Sequence, residues 1–112
     1  MAAGALVYLQ GGNNEQICSA VAISMKALLG LTCDPVGGLV ECPCIKRNSL
    51  GALNAVNSCD MAMAGIKSVI PADEVIEAMG EIGKNMSDKY RETGKGGLAT
   101  TESGKKICKK LE

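Results

Sequence analysis

The sequence contains no histidine, phenylalanine or tryptophan, and two tyrosines are its only aromatic residues. Without histidine, the chain has no imidazole to act as a general base or as a metal ligand, which leaves thiolates and carboxylates. Bulky core-forming residues are also scarce, because leucine, isoleucine and valine together make up only about a fifth of the 112 residues. This length and composition predict one small domain that is marginally stable without a cofactor or a partner.

Charge of one sign is also missing, since 12 basic and 12 acidic residues give a formal net charge of zero. Binding to nucleic acid or to an anionic membrane needs a basic surface, so neither partner is expected. Residues 1–12 contain an apolar run that is too short to span a membrane and lack the basic start of a signal peptide. A cytoplasmic location is therefore predicted, where six cysteines serve as ligands, catalytic groups or core residues rather than as disulfides.

The first half of the chain is predicted to lie mainly in the protein interior, because residues 1–66 include only three basic and four acidic side chains. Asn13 or Asn14 is suited to begin a helix, and Gln16 is placed to complete a capping box on Asn13. Gly30 is suited to end this helix. This helix is apolar nearly all round, which predicts that it is buried on most sides. Residues 31–42 contain turn-forming pairs and no periodic pattern, so they are predicted to form a loop.

Three further helices are predicted. Pro43 is suited to the first turn of a long helix over residues 44–64, and Pro71 to the start of an amphipathic helix. A short lysine-rich helix is expected from about Thr101 to the end. Because no segment alternates with period two, the predicted class is all-α: an irregular helical domain fragment with a glycine-rich cysteine loop between two buried helices.

The loop between Cys33 and Cys44 is the main candidate for chemistry. Cys44 falls in the first turn of the predicted long helix, where the positive end of the helix dipole favours an anion such as a thiolate. Gly37 and Gly38 would let backbone N–H groups approach a bulky anionic group, as they do around iron–sulfur clusters. The alternative is two unliganded cysteines, while a closed zinc site would need four ligands at compact spacings that do not occur.

Lys46 and Arg47 are unusual because two cations in the first turn of a helix oppose its dipole unless an anion lies nearby. One interpretation is a carboxylate or cluster that faces this turn, with Arg47 as the partner of the carboxylate. The other is that both cations are solvated. Further along, Gly51, Asn54 and Ser58 continue a polar row from Arg47, which lines a pocket, contacts another helix or forms a hydrated surface.

The remaining cysteines have less distinctive surroundings. Cys18 and Cys59 lie among apolar neighbours in predicted helices, which favours small buried thiols. Cys42 either packs inward or serves as an additional ligand. Cys108 is flanked by lysines, so it is either a reactive thiol or an ordinary exposed helical residue.

Residues 33–48, with the sequence CDPVGGLVECPCIKRN, resemble the iron–sulfur-dependent L-serine dehydratases (L-serine ammonia-lyases). The similarity is to the C-terminal part of their catalytic α chain, and it covers nearly the whole of residues 1–112. It extends through three further segments: LVYLQGGN at 6–13, AGIKSVIP at 64–71 and RETGKGGLA at 91–99.

The resemblance implies a 4Fe–4S cluster held by three cysteines, with an open iron that binds L-serine and promotes loss of its hydroxyl to give pyruvate and ammonia. Two of the three cluster ligands correspond to Cys33 and Cys44. No third ligand is evident, and the N-terminal part of the α chain, which relatives have before the segment matched here, is expected to supply it.

For the substrate carboxylate, the resemblance points to Arg47 and Asn48, and the turn at Thr93 and Gly94 is expected to approach the same site. Lys46 is a weak candidate for the base that removes the α-proton.

Two functions are therefore expected from the sequence. The first is an L-serine ammonia-lyase in which this chain is an incomplete fragment, active only with the missing N-terminal part of the α chain and a β subunit. The second is a noncatalytic metal- or thiol-binding helical module that is derived from that family.

Overall fold

The computed structural model describes residues 1–111, which form five α-helices and contain no β-strand. Short 3-10 turns lie at Val36–Gly38, Asp88–Tyr90 and Gly97–Thr100. This arrangement confirms the predicted all-α class. The helices are α1 at Ala2–Leu9, α2 at Asn14–Lys26, α3 at Cys44–Met63, α4 at Ala72–Asn85 and α5 at Glu102–Leu111.

Helix α2 begins as its sequence predicts. The Gln16 backbone N–H donates to the Asn13 side chain, and the Asn13 N–H donates to the Gln16 side chain, both at 2.9 Å. The helix ends at Lys26, four residues before Gly30, because the chain turns at the intervening residues. Helix α1 was not predicted, since eight residues give too little periodic pattern to distinguish a short helix from an apolar loop.

The chain divides into two compact units. The first unit consists of Met1–Leu29 and Leu50–Lys84. Its core is built mainly from small residues of α1, α2 and α3, and it includes Ala3, Val7, Ala20, Ala55, Cys59 and Ala62. Asn54 of α3 donates to the Ser24 carbonyl and hydroxyl of α2 at 3.0 Å, so the polar row predicted on α3 makes a helix–helix contact at this residue.

The second unit consists of Gly30–Ser49 together with residues 85–111. In this unit α5 packs on the turns at Val36–Gly38 and Gly97–Thr100. The cysteine loop also pairs with the chain around Arg91 in an isolated parallel bridge. There the Cys33 N–H donates to the Tyr90 carbonyl at 2.8 Å, and the Glu92 N–H donates to the Cys33 carbonyl at 2.7 Å.

Burial differs between the two helices that flank the cysteine loop. Helix α2 is buried at Ser19, Ala20 and Ala22, whereas the outer residues Leu50, Leu53 and Val56 of α3 are exposed. Only Asn14, Glu15 and Cys18 of α2 are exposed, so this helix is covered on most sides as predicted, whereas α3 is buried along one face. None of the five helices has the length and the apolar content needed to cross a bilayer.

Candidate functional site

Cys33 and Cys44 lie at the two ends of the loop, and both side chains are partly buried. A backbone hydrogen bond of 3.0 Å from Val36 N–H to the Cys42 carbonyl closes the loop. The two glycines in its middle have positive φ angles, 66° at Gly37 and 72° at Gly38, which place both in the left-handed region. The glycine pair therefore makes the turn that returns the chain towards the start of α3.

The Cys33 thiol lies among negative groups. Burial raises its pKa, the negative charges of Glu92, Cys44 and Asp34 raise it further, and the Arg47 guanidinium acts in the opposite direction. Because the charge on Cys44 acts on Cys33, the fold brings both ends of the loop within electrostatic range of each other. A cation bound here would relieve the repulsion between the groups that surround Cys33.

Asp34 is a charged residue at the centre of this unit, with only 2% of its surface exposed. One carboxylate oxygen accepts a hydrogen bond from Arg47 Nη1 at 2.5 Å, and the other accepts from the Leu98 N–H at 2.6 Å. Arg47 Nη1 also donates to the Thr32 carbonyl at 3.0 Å. For Arg47 the first interpretation therefore holds, with a carboxylate from the chain itself, whereas the exposed Lys46 fits the second.

The charge state of Asp34 follows from these contacts. Burial acts to raise the pKa of its carboxyl group, but the hydrogen bonds from Leu98 and Arg47 and the positive charge of Arg47 act together to lower it. The net effect holds the pKa below its ordinary value. Asp34 is therefore a buried carboxylate whose negative charge is compensated by Arg47.

Gly97 makes the approach of Asp34 to Leu98 possible. Its φ angle is 62°, and a Cβ atom at this position would overlap the Asp34 side chain. Only glycine meets both requirements without displacement of the carboxylate. Gly97, in the second half of the sequence, thus leaves room for a side chain of the cysteine loop in the first half.

The predicted site residues near α3 have different surroundings. Lys46 and Asn48 are both exposed, whereas Arg47 is partly buried through its contact with Asp34. The turn at Thr93 and Gly94 follows directly after the segment that pairs with Cys33. The second unit therefore contains the cysteine loop, the first turn of α3 and this turn, although Arg47 Nη1 is already engaged.

Thr93 and Gly94 are positioned by contacts of their own. The Thr93 hydroxyl donates to the Asp88 carbonyl at 2.7 Å and accepts from the Lys95 N–H at 3.3 Å. Gly94 has a φ angle of 64° and faces the Pro35 carbonyl, which a Cβ atom would approach to 3.4 Å. This turn therefore packs directly on the residue that follows Asp34.

The surroundings of the other four cysteines can be compared with the predictions. Cys59 is buried as predicted, but the prediction for Cys18 is wrong, because this thiol lies on the outer side of α2 and is exposed. Cys42 is also exposed, which excludes inward packing. Cys108 is partly buried, and its sulfur would lie 3.8 Å from a Cβ atom at Gly37, so α5 brings a third thiol to the turn of the cysteine loop.

The described residues contain no group of three or more histidine, cysteine, aspartate or glutamate side chains arranged to hold a metal ion. The donor chemistry of the loop is nevertheless suitable, because thiolates are the usual ligands of iron–sulfur clusters. Cys33 and Cys44 therefore offer two donors of the right chemical type, and the described residues do not arrange a third beside them.

Sequence reasoning missed the parts played by Asp34 and Glu92. Asp34 was interpreted only as a turn signal with Pro35, although it is one of just four acidic residues in 1–66 and could have been recognised on that basis. Glu92 has a φ angle of 65°, unusual for a residue other than glycine. No sequence pattern places it next to Cys33.

Comparison with known proteins gives a consistent result. Residues 1–99 match the family described as serine dehydratase alpha chain. The chain is 57% identical over 111 residues to the probable L-serine dehydratase, alpha chain, of Bacillus subtilis (strain 168), a match that covers 99% of this chain and 37% of that protein.

Two further relatives give similar values. The L-serine dehydratase, alpha chain, of Peptoniphilus asaccharolyticus is 51% identical over 96% of this chain and 37% of its own length. The L-serine dehydratase TdcG of Escherichia coli (strain K12) is 53% identical over 88% of this chain and 22% of its own length. The chain thus spans between about a fifth and two fifths of the length of these three curated relatives.

Proposed function

Since this chain belongs to the serine dehydratase alpha chain family, we propose that it forms part of an L-serine ammonia-lyase, which converts L-serine to pyruvate and ammonia. The relatives are longer than the matched region, so the active enzyme contains further α-chain residues in addition to those described here. Two relatives carry the name alpha chain, which supports a separate β subunit as a partner.

The observation that carries the proposal is the pair of thiols at the ends of the glycine turn. We propose that Cys33 and Cys44 hold two irons of a 4Fe–4S cluster, and that the remaining α-chain residues supply the third ligand. Ligation needs the Cys33 thiolate, and a bound metal would stabilise this thiolate against the burial and negative charges that raise the pKa of the free thiol. When bound, the cluster supplies a Lewis-acidic iron that polarises a hydroxyl leaving group. Thiolates of this kind persist in a reducing compartment, which supports a cytoplasmic enzyme.

Substrate binding is proposed for residues close to this thiol pair. The exposed Asn48 amide and the turn at Thr93 and Gly94 are suited to hydrogen-bond the serine carboxylate. Arg47 attracts the same carboxylate through its charge, while its Nη1 atom stays on Asp34. The exposed position of Lys46 does not favour it as the base, because general bases are usually held in sites shielded from water.

A second candidate function is a noncatalytic metal- or thiol-binding module. It is favoured by the absence of a three-ligand group within residues 1–111 and by the internal partner of Arg47. In this case the cysteine loop would bind metal or react with thiols, but it would not support elimination of water from serine.

A chimeric enzyme tests the proposal. This chain replaces its matched region in the Bacillus subtilis relative, and the product is co-expressed with the proposed β subunit of that enzyme and reconstituted anaerobically with iron and sulfide. We expect visible iron–sulfur absorption and formation of pyruvate from L-serine. Both are expected to disappear in Cys33→Ala and in Cys44→Ala, because each removes a proposed cluster ligand.

Cys18→Ala is the matched control, since this thiol is exposed and lies in the other unit. It should leave both the absorption and the pyruvate formation unchanged. A cluster that forms without any pyruvate would favour the noncatalytic module, whereas pyruvate formation that survives Cys33→Ala would contradict the assignment of the ligand.

A further inference from the structure

Asp34 has no part in the proposed binding of cluster or substrate, yet it is among the most buried side chains of the chain. Its carboxylate joins three segments that are distant in sequence. These are its own loop, the first turn of α3 through Arg47, and the turn at Gly97–Thr100 through the Leu98 N–H. A buried carboxylate is costly unless it is paired, so both contacts are needed to keep it in this place.

The contact between Asp34 and Arg47 joins two residues that lie close to the proposed ligands in the sequence. Asp34 directly follows Cys33, whose backbone is already fixed by hydrogen bonds to Tyr90 and Glu92. Arg47 lies three residues after Cys44 in α3, which places both side chains on the same face of the helix. The ion pair between Asp34 and Arg47 therefore connects the Cys33 backbone to the helical turn that carries Cys44.

The contact with Leu98 anchors the Asp34 carboxylate to the turn at Gly97–Thr100. The Leu98 N–H holds the second oxygen of Asp34, and Gly97 leaves the space that the carboxylate fills. Because the side chain is held on both oxygens, it has no alternative rotamer that keeps its partners. Rotation of Asp34 would expose Arg47 and leave the Leu98 N–H without an acceptor.

We propose that Asp34 is a positioning residue that fixes Cys33 and Cys44 relative to each other before any metal binds. The inference rests on the proposed function where it treats these thiols as cluster ligands, but the placement itself is a property of the metal-free chain. Preorganised ligands lower the cost of ordering a site when the metal binds.

The test measures the rate of iodoacetamide alkylation at each cysteine of the metal-free chain by mass spectrometry. In Asp34→Asn and Asp34→Ala, we expect the rates at Cys33 and Cys44 to rise by about tenfold, because loss of the contacts frees both partly buried thiols. The larger rise is expected for alanine, since asparagine keeps one oxygen as an acceptor.

Two other thiols report on the rest of the fold in the same sample. Cys59 is buried in the first unit and Cys18 is exposed there, so both rates should stay within about twofold of the parent. Asp88→Asn is the matched control. It removes one negative charge from the same unit at an exposed carboxylate that pairs with Lys95, and it should leave the Cys33 and Cys44 rates unchanged.

Arg47→Gln separates positioning from electrostatics. The charge of Asp34 disfavours the Cys33 thiolate and the charge of Arg47 favours it, so loss of each charge alone changes the thiol reactivity in opposite directions. Loss of the contact between Asp34 and Arg47, in contrast, accelerates alkylation whether Asp34 or Arg47 is replaced. We therefore expect Arg47→Gln to raise the Cys33 rate at a fixed pH despite the loss of its charge.

Unchanged rates at Cys33 and Cys44 in the Asp34 variants would overturn the inference. So would a fall in the Cys33 rate in Arg47→Gln, or an equal rise at Cys59 that indicates unfolding of the whole chain. Failure of the proposed function is a separate result: the chimera then forms no cluster, while the alkylation rates still respond to Asp34.

Discussion

At the scale of single residues, Arg47 and Asp34 each account for the unusual position of the other. A cation in the first turn of a helix opposes the dipole, and a carboxylate without a partner is costly when buried. The contact at 2.5 Å removes both costs, because each group compensates the charge of the other. The basic pair at the start of α3 left two interpretations open, a nearby anion or solvated cations, and the structure identifies Asp34 as an anion in contact with Arg47.

Gly97→Ala is expected to destabilise the chain by about 2–4 kcal/mol. About 1 kcal/mol arises from the positive φ angle, and the remainder arises because the new Cβ atom would displace the Asp34 carboxylate. Urea unfolding followed by circular dichroism measures the difference. Gly38→Ala is the control, since Gly38 also has a positive φ angle but no atom lies within 4 Å of its added Cβ.

The control variant should lose only about 1 kcal/mol, the cost of the backbone conformation alone. Equal losses in Gly97→Ala and Gly38→Ala would contradict the close contact between Gly97 and Asp34.

The lowered pKa of Asp34 predicts how stability depends on pH. Because the pKa is lower in the folded than in the unfolded chain, the carboxylate stabilises the fold above its unfolded pKa of about 4. This stabilisation is lost as the pH falls through the folded-state pKa. The difference in unfolding free energy between the parent and Asp34→Asn should therefore be largest near pH 7 and shrink below about pH 4.

Urea unfolding of both proteins at several pH values measures this difference. A constant difference across the range would mean that the charge of Asp34 does not contribute to stability.

At the scale of elements, the helix starts are set by local chemistry and the buried faces by packing. The capping box of α2 begins at Asn13, as its sequence pattern predicts. Helix α4, predicted as an amphipathic helix, shows the other case, since Val75 and Ile76 are both apolar but only Val75 is buried. A helical pattern identifies an apolar face, and the neighbouring helices decide how much of it is covered.

Asn13→Ala tests the cap of α2. It should lower the unfolding free energy by about 1 kcal/mol, because the Gln16 N–H loses its acceptor and the reciprocal bond loses its support. Thermal or urea unfolding measures the change. Asn14→Ala is the neighbouring control, with an exposed side chain, and its effect should stay below about 0.5 kcal/mol. A larger loss in Asn14→Ala than in Asn13→Ala would place the start of the helix one residue later.

At the scale of the whole molecule, the core consists of small side chains while many large apolar residues lie outside it. Val7 is among the largest side chains that are fully buried, and Leu53 of α3 is 65% exposed. The composition predicted this shortage of core volume, because bulky apolar residues are few. Each buried methyl group of this core therefore accounts for a large share of the total stability.

Val7→Ala is accordingly expected to cost about 1.5–3 kcal/mol, since it removes buried methyl groups and leaves a cavity. Leu53→Gln should change the unfolding free energy by less than about 0.5 kcal/mol, because its side chain already faces water. Urea unfolding of both variants measures the contrast. A comparable loss in Leu53→Gln would show that the outer face of α3 is covered in solution.

The sequence by itself determined the helical class, the cap of α2, the long helix after Pro43 and the loop between Cys33 and Cys44. These features depend on residues that are near each other in the chain, through capping, helical periodicity and the conformations of proline and glycine. The family was also recognisable, because its motifs are continuous segments.

Only the tertiary structure decided which charge Arg47 binds, why Gly97 is a glycine and which negative groups surround Cys33. Asp34 and Leu98 are 64 residues apart, so the hydrogen bond between them forms only when the two turns pack together. Exposure of Cys18 and burial of Cys59 likewise depend on which side of each helix meets a neighbour. Contacts of this kind arise from packing between distant segments, which local patterns along one sequence do not encode.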